Sequence, residues 1–176
     1  MKDSKLIQKL HSGDKEAAGI IIERYYEDIY RFCLYMVQIE ADAYDITQET
    51  FLKFMKYGSS YKHNNLKGYL LTIARNLCFD YFRNKSQKAV ATDWEELDKH
   101  QTRTDRMAET EDVVYLKNLL KELSDDIREV VILRTYEEMR FKDIAKIMGC
   151  SLSTVKSRYR LGISQLKRRM ENEYER

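Results

Sequence analysis

Proline is absent from the 176 residues, and only six of them are glycine. Few helix breakers interrupt the chain, so long helices are open to it. Stretches in which valine or isoleucine alternate with polar residues are also missing, and no strand is expected. No apolar run approaches the roughly 20 residues that a membrane span requires, and the N-terminus lacks a signal-peptide pattern. These absences predict an all-α, cytoplasmic protein. The three cysteines, Cys33, Cys78 and Cys150, form no C-x-x-C pair and lie in or beside apolar runs, as buried reduced thiols do. His11, His63 and His100 stand apart from any nucleophile or metal-ligand spacing. No catalytic residue, metal or cofactor is expected.

Charge and periodicity are what the chain does have. Its 43% hydrophobic and 34% charged content fits a folded protein. The net charge of +2 hides a split. From Ser151 to Met170 there are Lys156, Arg158, Arg160, Lys167, Arg168 and Arg169 with no acid, and Lys67 to Lys88 holds five bases against Asp80 alone. Glu40, Asp42, Asp45 and Glu49 crowd one short acidic segment. Two basic surfaces suit a polyanion, and the acidic one suits a different partner.

The spacing predicts a short helix around Leu6, Ile7 and Leu10, then a long one capped by Asp14 with Ala18, Ile21, Tyr25, Ile29, Phe32 and Met36 on one face. Further helices are expected over about 41–56 and 66–86, joined by a polar loop. The pattern fails between Lys88 and about Thr110, where acids outnumber bases, and resumes with Val113, Leu116, Leu119, Leu120 and Leu123. Ser124 before Asp125 and Asp126 reads as a helix start, and two last helices are expected over 141–148 and 153–172. The layout is therefore a domain at 1–87, a linker at 88–110 and a second domain at 111–176.

The run from Phe141 to Arg158 has helix-turn-helix spacing: small Ala145, Gly149 for a left-handed turn, Ser151 as cap, Val155 packing back. Leu152, Val155, Tyr159, Ile163, Leu166 and Met170 share one face of the last helix. Ser153, Thr154, Lys156, Ser157, Arg158, Arg160, Lys167 and Arg168 occupy the rest, where they can meet phosphates and base edges in a major groove.

In the third helix Ala43, Ile46, Thr47, Thr50, Phe51 and Phe54 face a core, opposite Asp42, Asp45, Gln48, Glu49 and Leu52. An acidic face with an exposed leucine suits a protein contact, or is simply a solvated helix face. In the fourth helix Leu66, Leu70, Ile73, Leu77 and Tyr81 form an apolar stripe, with Leu71, Cys78 and Phe82 beside it. Tyr69, Thr72, Asn76, Phe79 and Arg83 form a second one flanked by Lys67 and Arg75. That second stripe suits unpaired bases, or else Tyr69 and Phe79 widen the core. The preceding loop, with Tyr57, Tyr61, His63, Asn64 and Asn65, could receive an extruded base.

Three of these stretches resemble the extracytoplasmic-function (ECF) sigma factors of the sigma-70 family. Asp42 to Leu52, DAYDITQETFL, is similar to that family's D-A-E-D-L-T-Q-E-x-F-L signature; Gly68 to Leu77 with Asp80 to Arg83 looks like its promoter-melting helix. Arg128 to Arg134, Ile144-Ala145 and Ser153 to Arg158 resemble its C-terminal domain. The resemblance implies that Asp42, Asp45, Gln48, Glu49 and Leu52 bind core RNA polymerase. It implies that Tyr61, Asn64, Tyr69, Thr72, Arg75, Asn76, Phe79 and Arg83 hold the single-stranded minus-10 element. Ser153, Thr154, Lys156, Ser157, Arg158, Arg160 and Lys167 would then read duplex minus-35 DNA. The acidic linker would thread toward the RNA exit path, and an anti-sigma factor would clamp the two domains. The family commonly carries Trp where Tyr69 stands, Arg where Thr72 stands and Pro where Ser124 stands. Of two other readings, a ligand-sensing DNA-binding regulator leaves the acidic helix and the aromatic-basic helix after it unexplained, and a sigma mimic that does not touch DNA leaves the basic last helix unexplained.

Overall fold

A computed structural model describes residues 2–58, 61, 65–91 and 110–174, and among them are eight helices and no strand. In chain order these are α1 (Asp3–His11), α2 (Lys15–Val37), α3 (Glu40–Tyr57), α4 (Leu66–Ala91), α5 (Glu111–Lys121), α6 (Asp125–Thr135), α7 (Phe141–Met148) and α8 (Leu152–Tyr174). The chain divides into two compact units, Met1–Arg106 with α1 to α4 and Met107–Arg176 with α5 to α8. No helix among the described residues is long and apolar enough to cross a membrane.

In unit 1, α2 starts where Asp14 caps it, its Oδ1 accepting from the N–H groups of Glu16 at 2.9 Å and Ala17 at 3.4 Å. It ends at Gln38, left-handed at φ 69, whose Nε2 donates to Tyr35 O at 2.6 Å. The core face expected of α3 is the buried one: Ala43, Ile46, Thr47, Thr50, Phe51 and Phe54. The hydroxyls of Thr47 and Thr50 are satisfied there by the carbonyls of Ala43 and Ile46, four residues back.

The α4 stripe differs from the one expected. Leu66, Leu70, Leu71, Ala74 and Cys78 are buried, while Ile73, Leu77 and Tyr81 are half-buried. The cause is tertiary: α4 packs against α2 and α3 together, so its buried arc points between them. The helix also runs to Ala91 rather than ending near Ser86. No glycine or proline follows Gly68 in it, and Gln87, Lys88 and Ala89 favour helix. Most of the expected 88–110 linker lies outside the described residues.

In unit 2, Ser124 occupies the cap position of α6 without a side-chain capping bond. A different residue closes this junction. Arg128, 7% exposed, donates from Nε to Leu120 O at 2.9 Å and from Nη2 to Lys121 O at 3.3 Å and Leu123 O at 3.0 Å, so it satisfies carbonyls left at the end of α5. Burial lowers the pKa of its guanidinium, opposed by Asp125 at 3.2 Å.

The α7–α8 turn follows its local chemistry. Gly149 is left-handed at φ 62, the Ser151 hydroxyl accepts from Thr154 N–H at 3.1 Å, and Val155 is fully buried. Gly162 is where α8 comes closest to α6: a Cβ there would stand 2.6 Å from Val131 Cγ2 and 2.8 Å from Ile127 Cγ2. Near the other end of α8, Met170 was expected on the packed face and is 38% exposed.

Candidate polymerase and nucleic-acid surfaces

On α3, Asp45, Gln48 and Glu49 are exposed, and Leu52, 61% exposed, forms an apolar patch with Met55, 43% exposed. Beside them Ile22 and Tyr26 of α2 join Gln48, Phe51, Leu52 and Met55 around a groove of about 400 Å³. The Tyr26 ring lies nearly parallel to those of Tyr30 and Phe51, at 6.2 and 6.3 Å between centroids, which stiffens the groove floor. Asp42, expected on this face, belongs elsewhere. It is half-buried at the edge facing α4, and its Oδ2 accepts from the Tyr81 hydroxyl at 2.7 Å. Burial, then the bond to Asp42, pushes the Tyr81 phenol up and keeps it a neutral donor.

The second α4 stripe separates into two groups. Tyr69 is half-buried in an aromatic chain, edge-on to Phe54 at 6.2 Å and tilted on Tyr61 at 4.8 Å. Tyr61, expected to meet a base, is 5% exposed; burial raises its phenol pKa, with Asp3 and Tyr69 adding to the effect and the Asn65 backbone opposing it. Thr72 turns its hydroxyl back onto Gly68 O at 2.8 Å, and Asn65 accepts from Gly68 N–H at 2.9 Å. Asn76 and Arg83 are exposed, and Arg83 pairs with Asp80. Phe79 is half-buried, with the Arg75 guanidinium 4.6 Å over its ring and Phe82 edge-on at 5.9 Å. Lys67 is bound to Asp28 of α2 at 2.9 Å. Asn64 and His63 lie outside the described residues. The face that remains open is Asn76, Phe79 under Arg75, and Arg83.

On α8, Ser153, Lys156, Ser157, Arg160, Lys167 and Arg168 are exposed. Among the described residues Lys156, Arg160, Lys167 and Arg168 form no ion pair. Thr154 is half-buried and its hydroxyl bonds that of Ser151 at 2.8 Å. Arg158 stands apart from the basic group: its Nη2 meets Asp126 of α6 at 3.0 Å, so it staples α8 to α6 at the edge of the packed face. No cluster of His, Cys, Asp and Glu able to hold a metal occurs among the described residues.

The family described as Sigma-70 region 2 matches residues 21–88, and Sigma-70, region 4 matches residues 114–166. The ECF RNA polymerase sigma factor SigM of Bacillus subtilis is 30% identical over 138 residues, 78% of this chain and 85% of SigM. SigX of the same organism is 29% identical over 165 residues, 89% of this chain and 85% of SigX. BldN of Streptomyces coelicolor is 28% identical over 158 residues, and the matched part is 60% of BldN's length. Among solved structures, the sigma factor RpoE of Bartonella quintana, in complex with the anti-sigma factor NepR, has a TM-score of 0.71 at 25% identity, covering 87% of this chain and 96% of that one. The chain belongs to the sigma-70 family. Within it, the protein is an RNA polymerase sigma factor of the extracytoplasmic-function type, a promoter-recognition subunit.

Proposed function

We propose that this sigma factor docks on core RNA polymerase through the α3 face, with Leu52 as apolar anchor and Asp45, Gln48 and Glu49 setting register. The observation that carries this is Leu52, 61% exposed beside an aromatic-floored groove, with Asp45, Gln48 and Glu49 exposed on the same helix. An apolar anchor supplies affinity, and the surrounding charges supply orientation and encounter rate. The exposed α4 residues Asn76 and Arg83, with half-buried Phe79 and Arg75 beside them, then hold unpaired minus-10 bases, and α8 reads duplex minus-35 DNA through Ser153, Lys156, Ser157, Arg160 and Lys167. Opening the promoter requires no hydrolysis, since contacts to unpaired bases offset unstacking of a few kcal/mol per flipped base. Each DNA contact alone is modest; carrying both on one chain makes the second intramolecular. On this reading the protein is not an enzyme, works in the cytoplasm and is held inactive by an anti-sigma factor, as NepR partners RpoE.

The test is copurification with core polymerase. Asp45→Lys with Glu49→Lys should abolish it, while the helical content of the free chain stays unchanged. Undiminished copurification would remove α3 from the docking role.

A further inference from the structure

Helix α1 lies outside the stretch matched as Sigma-70 region 2, and none of the three surfaces uses it. It is nonetheless built into unit 1 at both ends. At its start Arg24 Nη1 donates to Asp3 Oδ1 at 2.5 Å and the Tyr25 hydroxyl to Asp3 Oδ2 at 2.6 Å. In the middle Leu6 and Ile7 are buried. At its end the His11 ring reaches 47 residues along the chain: Nε2 donates to Gly58 O at 3.1 Å, at the C-terminus of α3. The carbonyl accepts only, so the proton sits on Nε2.

The same carbonyl is where the next described residue attaches. Tyr61 N–H also donates to Gly58 O, at 3.0 Å, and the Tyr61 ring packs on Tyr69 of α4. The N-terminal half of α1 meanwhile lines a cavity of about 470 Å³ shared with Leu66, the first residue of α4. One short helix therefore touches the end of α3 and stands beside the start of α4. Without a partner on its second lone pair, Gly58 O would hold Tyr61 alone, and Tyr61 would be less tightly set against Tyr69.

We propose that α1 is a clasp, with His11 its positioning residue, which fixes the end of α3 and Tyr61 against Tyr69 of α4, and so the aim of the α4 face at unpaired DNA. The inference rests on the reading of α4 given above. A ligand that binds only one arrangement of these residues loses apparent affinity in proportion to that arrangement's population.

Two readouts separate the clasp from the function it serves. In the free full-length chain, His11→Leu should speed hydrogen exchange at the Tyr61 amide about fivefold, the scale of one lost hydrogen bond, and leave the Ile29 amide in α2 unchanged. His11→Gln, which keeps an N–H donor, should stay within about twofold of the natural chain. In the polymerase complex, the probe is a fork-junction DNA with a single-stranded minus-10 non-template strand, taken from a promoter recovered by transcribing a genomic library. His11→Leu should bind it about fivefold more weakly, with binding to core polymerase and to a minus-35 duplex unaltered. An unchanged Tyr61 amide, faster exchange spread equally to Ile29, or a Gln variant no better than Leu would overturn the clasp. A loosened Tyr61 with unchanged fork binding would overturn its link to DNA. Failure of the natural chain to join polymerase would instead sink the docking reading, and the exchange result would still decide the clasp.

Discussion

In unit 1 the bases around the candidate DNA face are already engaged: Lys67 by Asp28, Arg83 by Asp80, Arg75 by the Phe79 ring. In unit 2 four bases on the outer side of α8, Lys156, Arg160, Lys167 and Arg168, form no ion pair among the described residues. The difference matches the physics of the two kinds of DNA. Duplex phosphates are bound by releasing counterions, which needs cations that are not already neutralised. Unpaired bases offer faces and edges, which are met by rings, amides and guanidinium planes held in place beforehand. The two units are also closed differently. Unit 1 joins its helices with polar cross-links such as Tyr81 to Asp42, whereas unit 2 brings α8 close to α6 at Gly162 and ties off α5 with one buried arginine.

The comparison breaks most easily at that arginine. Arg128→Ala would take the guanidinium from the carbonyls of Leu120 and Leu123, leaving Leu120 O to backbone donors alone, and should destabilise unit 2 by about 3 kcal/mol. Hydrogen exchange resolved by unit checks it: the loss should fall on α5 to α8 and spare α1 to α4. Next in size, Lys156→Ala with Arg160→Ala should weaken minus-35 duplex binding about tenfold near 0.15 M salt and reduce the slope of log affinity against log salt by about 2. A fork-junction titration across salt sharpens the contrast, since Asn76→Ala should weaken binding there with little change in slope. The smallest effect is expected at the polar cross-link. Tyr81→Phe removes the donor to Asp42 and should cost about 1 kcal/mol, read as a lower melting point of unit 1 alone.

Much of the architecture was readable because its signals are local. Asp14 caps the residues two and three after it, Gly149 supplies a left-handed turn, and Ser151 caps the helix that begins next to it. The core face of α3 follows from its period alone. The contacts that sequence reading misplaced are long-range. Asp42 looked like part of the acidic ridge until Tyr81, 39 residues on, claimed it. Arg158 looked free until Asp126 met it from another helix. Gly162 gave only its small size as a signal, which marks a close approach once a partner helix is known. Tyr61 reads as a polar loop residue, and only the packing of α1, α3 and α4 turns it inward.

By itself the sequence determined the eight-helix order, the capped turns and the sign of charge along each face, because each depends on neighbours within about one turn of helix. Which of those charges remain open to a partner was decided only in three dimensions. An ion pair or a buried hydrogen bond forms between residues that folding brings together, and nothing in their spacing along the chain records the meeting.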